Sequence, residues 1–533
     1  MLTPDRPPPE DYYQNNCRTL FSFVLAHYAD LLAEQDAASL QSYLSLTDDA
    51  QRLFARLLTR KGPLIRTDSL NYAEISNVAQ ALDLLCEKQF ICLAAPAPGD
   101  QLLAVARKAE VTALNPTLLP NSARKDAWVL QLLSLYTDRQ VHERVVAQFS
   151  WLHINKPQTW QMVRLLYFGD NQQDWSAFVI RDLGMVRYEP WHMHSRRYES
   201  LQTLKADMYY RRLSELSRRL EEHPKLAVEL SKCLQAQVPD DRFMQARRER
   251  TLLRIGRWHE RADEPQAAVD AYRQVNRHPA RERIVRLLHR CGDESTASQW
   301  LQTIRNAPLC EEEAQFAERF GKRQAGYQPP ATQIDITELQ GDIEQQALNL
   351  LLQPGEWGAH VENSLVRTLT GLVYWEVIFA DVAGAFTNPF QSGPHDLYRE
   401  EFLQPREQQL ATLEAAVQAD ADMQHHLLDM FERKQGIANS LVDWQMFKDI
   451  ALADIIDAMP VDDIRKLSHF LIRNLHSRRA GLPDLFVVHG PKHYELIEVK
   501  GPGDQLQPGQ RVWFKHLARL GIPARVLRLR LVG

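Results

Sequence analysis

The chain has 533 residues, of which 44% are hydrophobic and 25% charged, and its formal net charge is −5. This length accommodates roughly three or four domains of about 150 residues each. The composition is that of an ordinary globular protein, and no apolar run approaches the roughly 20 residues of a membrane span, which argues against a membrane partner.

The first residues and the cysteines indicate the compartment. The opening MLTPDRPPPEDYYQ carries proline and acid where a signal peptide needs a basic and then an apolar run. The six cysteines are scattered without a CxxC pair. We therefore expect neither a zinc site nor a disulfide framework, and a cytoplasmic location.

Positive charge is concentrated in three segments. Residues 241–290 hold 13 Arg against 7 acids, an excess of 13 − 7 = 6. Residues 464–480 hold five basic residues and no acid, and residues 511–533 hold six and no acid. Clustered charge of this kind binds phosphate whatever the total, although a solvated helix face explains the first segment equally well.

Residues 1–100 are predicted to form a helical N-terminal domain. Apolar residues recur at helical steps over 20–32 and 46–58, and Gly62-Pro63 then ends the helix. A short helix over 78–85 and a strand over 90–93 follow. Helix, basic turn, helix and strand are compatible with a winged-helix DNA module, and also with any small helical domain.

Residues 101–200 are predicted to hold two short helices joined by a polar turn rich in Pro, Asn and Ser. Their sequence, LLAVARKAEVTALNPTLLPNSARKDAWVLQLLSLY, resembles a SAP-type helix–extended–helix module. The resemblance implies contact with a duplex backbone. A helical hairpin that only packs against its neighbours is an equally good interpretation.

Residues 201–325 are predicted to be helical throughout, and they contain a weak internal repeat. RIGRWHERADEPQAAVDAY (254–272) aligns with RIVRLLHRCGDESTASQWL (283–301) at an offset of 29. Such an offset predicts stacked helical hairpins of the tetratricopeptide type, which could bind DNA or a protein partner. The stretch AGYQPPATQ (325–333) then marks a boundary, and we assign residues 326–533 to one further domain.

The stretch GLPDLFVVHGPKHYELIEVK (481–500) is predicted to form a β-hairpin. Asp484 stands at the entry of its first strand, and Glu498 and Lys500 share one face of the second. Two carboxylates and a lysine at a half-buried strand end are costly unless something compensates them. A divalent metal would do so, with the carboxylates as ligands and the lysine beside the reacting phosphate.

The wider string resembles a known nuclease family. RAGLPDLFVV followed by LIEVKGPGDQLQPGQRVWFKHLARLGIPARVLRL is similar to the VRR-NUC branch of the PD-(D/E)xK superfamily, and in particular to the Fanconi-associated nucleases. The strings YYQNNCRTL and LFARLLTRKGPLIR near the N-terminus resemble the same proteins. The resemblance implies mainly α-helical N-terminal and middle regions followed by an α/β, restriction-endonuclease-like domain, with Mg²⁺ or Mn²⁺ as cofactor.

The resemblance also assigns further site residues. The family places an extra acid in an HxExS context, which matches His360–Ser364 and selects Glu362 as a metal ligand rather than Glu376. We expect residues 360–379 to form one helix. Asn363 stands where a glycine is common in the family. The metal set is then Glu362, Asp484, Glu498 and the Val499 carbonyl, and the catalytic set is Asp484, Glu498 and Lys500.

Residues around the metal set are predicted to support it or to bind DNA. The family often has a supporting glutamine near Gln510. Arg478 and Arg479, which precede the GLPD entry, are candidates for gripping the phosphate backbone, with Arg511 and Lys515 on the following helix as weaker ones.

The function implied by the resemblance is cleavage of DNA at 5′ flaps or branches, in interstrand-crosslink repair. An enzyme of this kind reads the shape and backbone of DNA rather than its base edges. Two alternatives remain open on the sequence alone. One is a four-way-junction resolvase of the same superfamily, and the other is a helical-repeat scaffold that retains an inactive nuclease fold.

Overall fold

The computed structural model describes residues 12–60, 62–120, 122–169, 186–191, 196–321, 327–339 and 341–532. The chain forms two compact units. The first comprises Met1–Arg197, Asp381–His395 and Gly436–Ala438, and the second comprises Tyr198–Ala380, Asp396–Gln435 and Asn439–Gly533. The predicted boundary near residue 200 therefore falls where the chain passes between units. The one at 325 falls inside the second unit and among residues outside those described.

The first unit is helical with one small sheet. Its helices are α1 Tyr12–Tyr28, α2 Glu34–Leu44, α3 Asp48–Leu58, α4 Val78–Glu87, α5 Gly99–Val105, α6 Lys108–Ala113, α7 Lys125–Leu135, α8 Asp138–Val145 and α9 Pro157–Phe168, with 3₁₀ turns at Ala29–Leu31 and Thr67–Ser69. The strands β1 Ile65–Arg66, β2 Ile91–Leu93 and β3 Trp151–Ile154 form an antiparallel sheet with β3 in the centre. The small sheet is thus completed by a strand from beyond residue 100, so the N-terminal fold does not end there.

The predicted pair of helices after residue 100 is three helices. Ala106 and Arg107 have extended backbone between α5 and α6. The Glu110 side chain accepts the Arg107 N–H at 2.5 Å, which caps and restarts the helix at Lys108. Buried residues of α5, α6 and α7 contribute to one core, so the apolar pattern continues across this break. The pattern alone therefore does not reveal where one helix ends and the next begins.

The middle of the chain, in the second unit, is a series of consecutive helices. They are α10 Leu201–Leu216, α11 Leu226–Ala236, α12 Arg242–Arg261, α13 Pro265–Tyr272, α14 Ala280–Arg290, α15 Glu294–Asn306 and α16 Glu311–Arg319, with a 3₁₀ turn at Ser217–Arg219. The 29-residue repeat falls on α12–α13 and α14–α15. Asp263 and Gly292, which are 29 residues apart, both have positive φ (57° and 81°) in the turns between paired helices.

A close approach of two helices fixes the first of these repeats. A Cβ atom on Gly256 of α12 would overlap the ring of Tyr272 on α13. Leu252 and Ile255 of α12 lie in the same core as Tyr272, Ile284 and Leu287. The arginines of α12 lie largely outside this core, on the faces of the helix that the apolar residues leave free.

The C-terminal part of the second unit is built on a mixed five-stranded sheet. Its strands are β4 Ala331–Ile336, β5 Trp357–His360, β6 Leu485–Gly490, β7 His493–Lys500 and β8 Ala524–Leu531, in the order β4-β8-β7-β6-β5. β4 and β7 run parallel to β8, whereas β6 is antiparallel to both β5 and β7. The hairpin predicted over 481–500 is therefore β6–β7, at the centre of the sheet.

Helices make up the rest of this part of the unit. They are α17 Ile343–Leu351, α18 Ser364–Val373, α19 Trp375–Ile378, α20 Glu407–Ala416, α21 Asp420–Lys434, α22 Met446–Asp449, α23 Leu452–Ala458, α24 Val461–Arg473, α25 Leu475–Arg478 and α26 Pro508–Leu520, with a 3₁₀ turn at Gln404–Arg406. Ile497 and Val499 of β7 pack with Leu348 of α17 on one face. Glu498 and Lys500 therefore point to the other face, where α26 lies.

Candidate active site

Glu498 is the most deeply buried acid of the site. Its residue exposure is 0%, and its Oε1 accepts hydrogen bonds from Lys500 Nζ at 2.5 Å and from Gln510 Nε2. Its Oε2 is buried and has no hydrogen-bond partner among the described residues. A buried carboxylate oxygen without a donor is costly, and a cation is the ligand that would satisfy it.

The raised pKa of Glu498 expresses the same cost. Burial raises it to about 7, the charge of Asp484 adds to that, and Lys500 offsets part of it. Burial also raises the pKa of Asp484, although the Val499 N–H and the Lys500 charge counteract it. The charge of Glu362 raises the pKa of both carboxyls, and a site that gathers negative charge in this way favours a positive ion.

Asp484 is held at the entry of β6 by backbone contacts. Its Oδ2 accepts the Val499 N–H at 2.9 Å, so this edge of β7 faces Asp484. Leu485 pairs with Ile497, and the same register places Pro483 opposite Val499. Proline has no N–H to donate to the Val499 carbonyl, which leaves that oxygen suited to a ligand role.

Glu362 reaches the site from a turn rather than from a helix. The expected single helix over 360–379 is wrong: β5 ends at His360, α18 begins at Ser364, and Tyr374 separates α18 from α19. The carbonyl of Asp484 accepts the N–H groups of Val361 and Glu362 at 2.8 and 2.9 Å, which holds the turn against the β6 entry.

The backbone of Glu362 is strained. Its φ is +29°, which residues with a side chain rarely adopt. Strain of this kind persists where the surrounding contacts over-determine it, and functional sites are where such residues cluster. Glu376 lies exposed on α19, away from this turn.

Asn363 connects the two halves of the site. Its Oδ1 accepts the Leu482 N–H at 3.2 Å, and its Nδ2 donates to Glu362 Oε1 at 3.2 Å. The asparagine that departs from the family glycine thus holds Glu362 to the GLPD segment. His360 and Arg367 line the adjoining cleft of about 430 Å³, and neither was predicted as a site residue. His360 precedes Glu362 by two residues in the HxExS string, which was the available signal for it.

The structure orients Gln510 toward Glu498. Its Oε1 accepts the Gln507 N–H at 2.9 Å at the start of α26, which leaves its Nε2 to donate to Glu498. Gly481, with φ +92°, lets the GLPD segment approach that helix, since a Cβ there would lie 3.2 Å from the Gln510 nitrogen.

The predicted DNA-binding residues differ in their availability. Arg478 is 3% exposed and ion-paired with Glu312, so the prediction that it grips phosphate does not fit its position. Arg479 is exposed and lies over the Tyr398 ring. Arg511 donates to the Leu506 carbonyl at 3.3 Å, and Lys515 lies 4.0 Å from Glu311.

The donor set fits a hard divalent cation. Carboxylate and carbonyl oxygens are the ligands of Mg²⁺ and Mn²⁺. In the described part of the chain, no three His, Cys, Asp or Glu side chains already converge as a metal-binding cluster. The exposed Glu362 carboxylate, which rests on Asn363, would have to turn inward to complete the set.

Family models match the two ends of the chain. One described as the FAN1 HTH domain matches residues 11–92, and one described as the VRR-NUC domain matches residues 418–530. The second match covers Asp484, Glu498 and Lys500 and begins after Glu362. Among the described residues, no helix combines the length and apolarity needed to cross a bilayer.

Whole-chain comparisons agree with these matches. A Fanconi-associated nuclease 1 homolog of Pseudomonas aeruginosa is 29% identical over 97% of this chain and 96% of its own length. Fanconi-associated nuclease 1 of Mus musculus is 34% identical over 36% of this chain and 19% of its own length. A crystal structure of paFAN1 bound to DNA with a two-nucleotide 5′ flap and a gap has a TM-score of 0.89 and 27% identity. The match covers 99% of this chain and all of that one.

The fold and site define the class of the protein, a VRR-NUC domain nuclease of the PD-(D/E)xK superfamily that acts on DNA and requires a divalent metal. Within that class, the matches at both ends and along the whole length point to one family. The chain carries an HTH domain match and a VRR-NUC domain match, and it is similar along its whole length to the Fanconi-associated nucleases. The prediction of the family from its motifs is thereby confirmed.

Proposed function

We propose that this chain cuts DNA at 5′ flaps and related branches in interstrand-crosslink repair, with Mg²⁺ or Mn²⁺ held by Glu362, Asp484, Glu498 and the Val499 carbonyl. The observation that carries the proposal is the Glu498 carboxylate. Its Oε1 already accepts hydrogen bonds from Lys500 and Gln510, whereas its Oε2 is buried and has no hydrogen-bond partner among the described residues. The relative bound to flap DNA, which matches this chain over 99% of its length, supports the choice of substrate.

The residues of the hairpin have distinct roles in this proposal. Asp484 and Glu498 provide anionic ligands, and Gln510 fixes the rotamer of Glu498. A bound divalent cation supplies the charge that activates an attacking water and offsets the developing charge on the phosphate. Lys500 is held 2.5 Å from Glu498, where its ammonium adds positive charge beside the same phosphate.

Glu362 and the cleft beside it place the substrate. The turn that carries Glu362 opens onto the cleft of about 430 Å³ that His360 and Arg367 also line. Arg479, Arg511 and Lys515 are the proposed contacts to backbone phosphates near the hairpin. The HTH-matched residues 11–92 and the SAP-like segment 101–200 are proposed as further duplex contacts, which suits recognition of DNA shape.

The compartment is also part of the proposal. All six cysteines are free thiols in the structure. A chain with six unpaired cysteines suits a reducing compartment, which supports a cytoplasmic protein that works on chromosomal DNA.

The experiment that tests the function compares three substrates. End-labelled 5′-flap, four-way-junction and linear duplex DNA of equal length are incubated with the protein in Mn²⁺, in Mg²⁺ or in EDTA. We expect metal-dependent cutting with the flap cut fastest. Symmetric nicks in the four-way junction at an equal or greater rate would replace the proposal with a resolvase, and no cutting in either metal would refute it.

A further inference from the structure

One carboxylate supplies the counter-charge of helix α26. That helix contains Arg511, Lys515, His516 and Arg519 and no acidic residue. Glu311, the first residue of α16, accepts a hydrogen bond from His516 Nε2 through its Oε2, and its Oε1 lies 4.0 Å from Lys515 Nζ and 3.8 Å from Arg519 Nη1. Every ion pair between α26 and another described residue goes to Glu311. The candidate active site does not itself use this carboxylate.

The contact between Glu311 and His516 is held on both sides. An acid in the first turn of a helix is favourable without any partner and can remain in water, but the Glu311 side chain is only 25% exposed. The His516 side chain is 12% exposed and lies against the Phe470 ring of α24, with 4.3 Å between ring centroids. Arg478 Nη2 adds a further cation 3.6 Å from Glu311 Oε2. Polar and aromatic contacts together therefore fix α26 at His516.

The same side of α26 leads from His516 to the metal site. Gln510, Trp513 and His516 follow one another at intervals of three residues, so neighbouring members of the series are adjacent on the helix. Trp513 is buried and donates its Nε1–H to the Ala480 carbonyl at 3.1 Å, at the entry of the hairpin. Gln510 Nε2 donates to Glu498 Oε1. One side of α26 thus joins α16, the hairpin entry and the buried carboxylate.

The bond from Gln510 to Glu498 depends on where α26 lies. A hydrogen bond between nitrogen and oxygen needs a separation of about 2.7–3.2 Å and weakens steeply as its angle bends. The apolar packing of Trp513 is non-directional and tolerates small rotations of the helix. His516 lies about 9 Å along the helix axis from Gln510. Its bond to Glu311 is therefore a second polar anchor that limits such rotations.

We propose that Glu311 is a positioning residue for the metal site. Its bond to His516 fixes α26, and α26 in turn presents the Gln510 amide that holds Glu498 with one oxygen left for the cation. The inference rests on the proposed function, because the cation is the divalent ion of the proposed nuclease. Glu311 lies outside residues 418–530, which match the VRR-NUC domain. The metal site of this chain is thus supported from the helical-repeat region.

The test measures Mn²⁺ binding directly, without DNA. Electron paramagnetic resonance detects free Mn²⁺, and the loss of this signal on addition of protein gives the dissociation constant. The variants are Glu311→Ala, Gln510→Ala and the combination of the two, with Glu498→Ala to identify the binding that belongs to the site. The matched control is Glu318→Ala, which removes an exposed acid of the same helix that forms no ion pair with a described residue.

The expected result is a loss of affinity that passes through Gln510. Gln510→Ala should weaken Mn²⁺ binding about 10-fold, as is typical of groups that orient metal ligands, and Glu311→Ala about 5-fold. The combined variant should differ from Gln510→Ala by less than about twofold, because two residues that act in one chain of contacts are not additive. Glu311→Gln keeps an oxygen that accepts the His516 N–H and should recover most of the affinity. Glu318→Ala should match wild type.

Three results would overturn the inference. They are unchanged Mn²⁺ binding in Glu311→Ala, a combined loss of about 50-fold that is the product of the two single losses, and no recovery in Glu311→Gln. Urea unfolding in EDTA shows whether each variant is folded under the conditions of the titration. If Glu311→Ala is not folded, His516→Leu breaks the same contact from α26 and is measured with and without Gln510→Ala, with the same outcomes expected.

The nuclease function is judged separately by wild-type cutting of 5′-flap DNA. A wild type that binds Mn²⁺ but cuts no DNA, together with weaker Mn²⁺ binding in Glu311→Ala, would refute the function and retain Glu311 as a positioning residue. A wild type that binds no Mn²⁺ would overturn the inference.

Discussion

At the scale of single residues, the two oxygens of Glu498 explain why the site needs a cation. Oε1 is saturated by Lys500 and Gln510, whereas Oε2 is buried without a donor. The pKa of this carboxyl is raised to about 7, chiefly by burial and then by Asp484. A folded-state pKa above the unfolded value near 4.5 means that stability is fully present below pH 4.5 and is lost as pH rises through 7.

The pH dependence of stability gives a first prediction. Glu498→Gln removes the titrating group, so the metal-free variant should lose less stability than wild type between pH 5 and pH 8. The difference between the two losses should be about 3 kcal/mol, since each unit of pKa shift is worth about 1.4 kcal/mol. Urea unfolding of both proteins in EDTA at the two pH values checks this. Equal losses in both proteins would show that folding does not raise the pKa of Glu498.

Asn363 gives a second prediction. Its amide bridges Glu362 and the Leu482 N–H, so Asn363→Ala should release the Glu362 carboxylate without removing it. Mutation of a group that orients a metal ligand typically lowers metal affinity or activity about 10- to 100-fold. We expect the Mn²⁺ concentration for half-maximal cutting to rise about 10-fold, with the rate recovering at saturating Mn²⁺. Glu376→Gln, which removes an exposed acid of α19, is the matched control and should leave the Mn²⁺ dependence unchanged.

At the scale of elements, α16 pairs with basic residues that lie before and after the hairpin in the sequence. Glu312 pairs with Arg478, and Glu311 contacts His516 and Lys515 of α26. Burial raises the pKa of Glu311, but the hydrogen bond and charge of His516, together with Arg478, outweigh it and lower that pKa to about 2. These contacts fasten the last helix of the repeat region to the nuclease helices.

A third prediction separates two neighbouring arginines. Arg478→Ala should destabilise the protein by about 2–4 kcal/mol, because it leaves Glu312 partly buried without its partner. Arg479→Ala should leave stability within about 0.5 kcal/mol, since the side chain is exposed, and should weaken flap DNA binding several-fold. Urea unfolding and DNA-binding anisotropy of both variants are compared. The opposite assignment of the two losses would contradict the account of α16.

The elements nearest the hairpin were predictable from sequence because they follow local rules. Turn residues Pro491-Lys492 between two apolar runs define β6 and β7, and pairing then brings Asp484 beside Val499 and Glu498. The turn at Glu362 was not predictable in this way. Its apolar neighbours fit a helix, and the contact that breaks the pattern is the Asp484 carbonyl, more than a hundred residues away.

At the scale of the whole molecule, clusters of charge in the sequence were a poorer guide to functional residues than the motif residues of the hairpin. The basic segment 464–480 suggested DNA contacts, yet Arg465, Arg473 and Arg478 each pair with an acid brought in by the fold. Those partners lie 45, 59 and 166 residues away in sequence. Clustering in sequence therefore does not show which charges are free. In the segment 241–290, Arg261 and Arg283 likewise pair with Glu221 and Glu260.

The division of the chain into units was also only partly predictable from the sequence. The passage from the first unit to the second at Arg197–Tyr198 lies close to the boundary predicted at residue 200. The first unit also includes Asp381–His395 and Gly436–Ala438, which are embedded in the sequence of the nuclease region. Excursions of this kind carry no compositional signal, since they are ordinary loop sequences that the fold places elsewhere.

The central claim is that Glu498 and Lys500 perform the chemistry while other regions bind the DNA. Single-turnover cleavage of a 5′ flap in Mn²⁺, with anisotropy in EDTA on the same substrate, tests it most directly. Glu498→Ala and Lys500→Ala should each slow cleavage by at least about 10³-fold and change DNA affinity by less than about threefold. Cleavage at near the wild-type rate in either variant would contradict the assignment of the site.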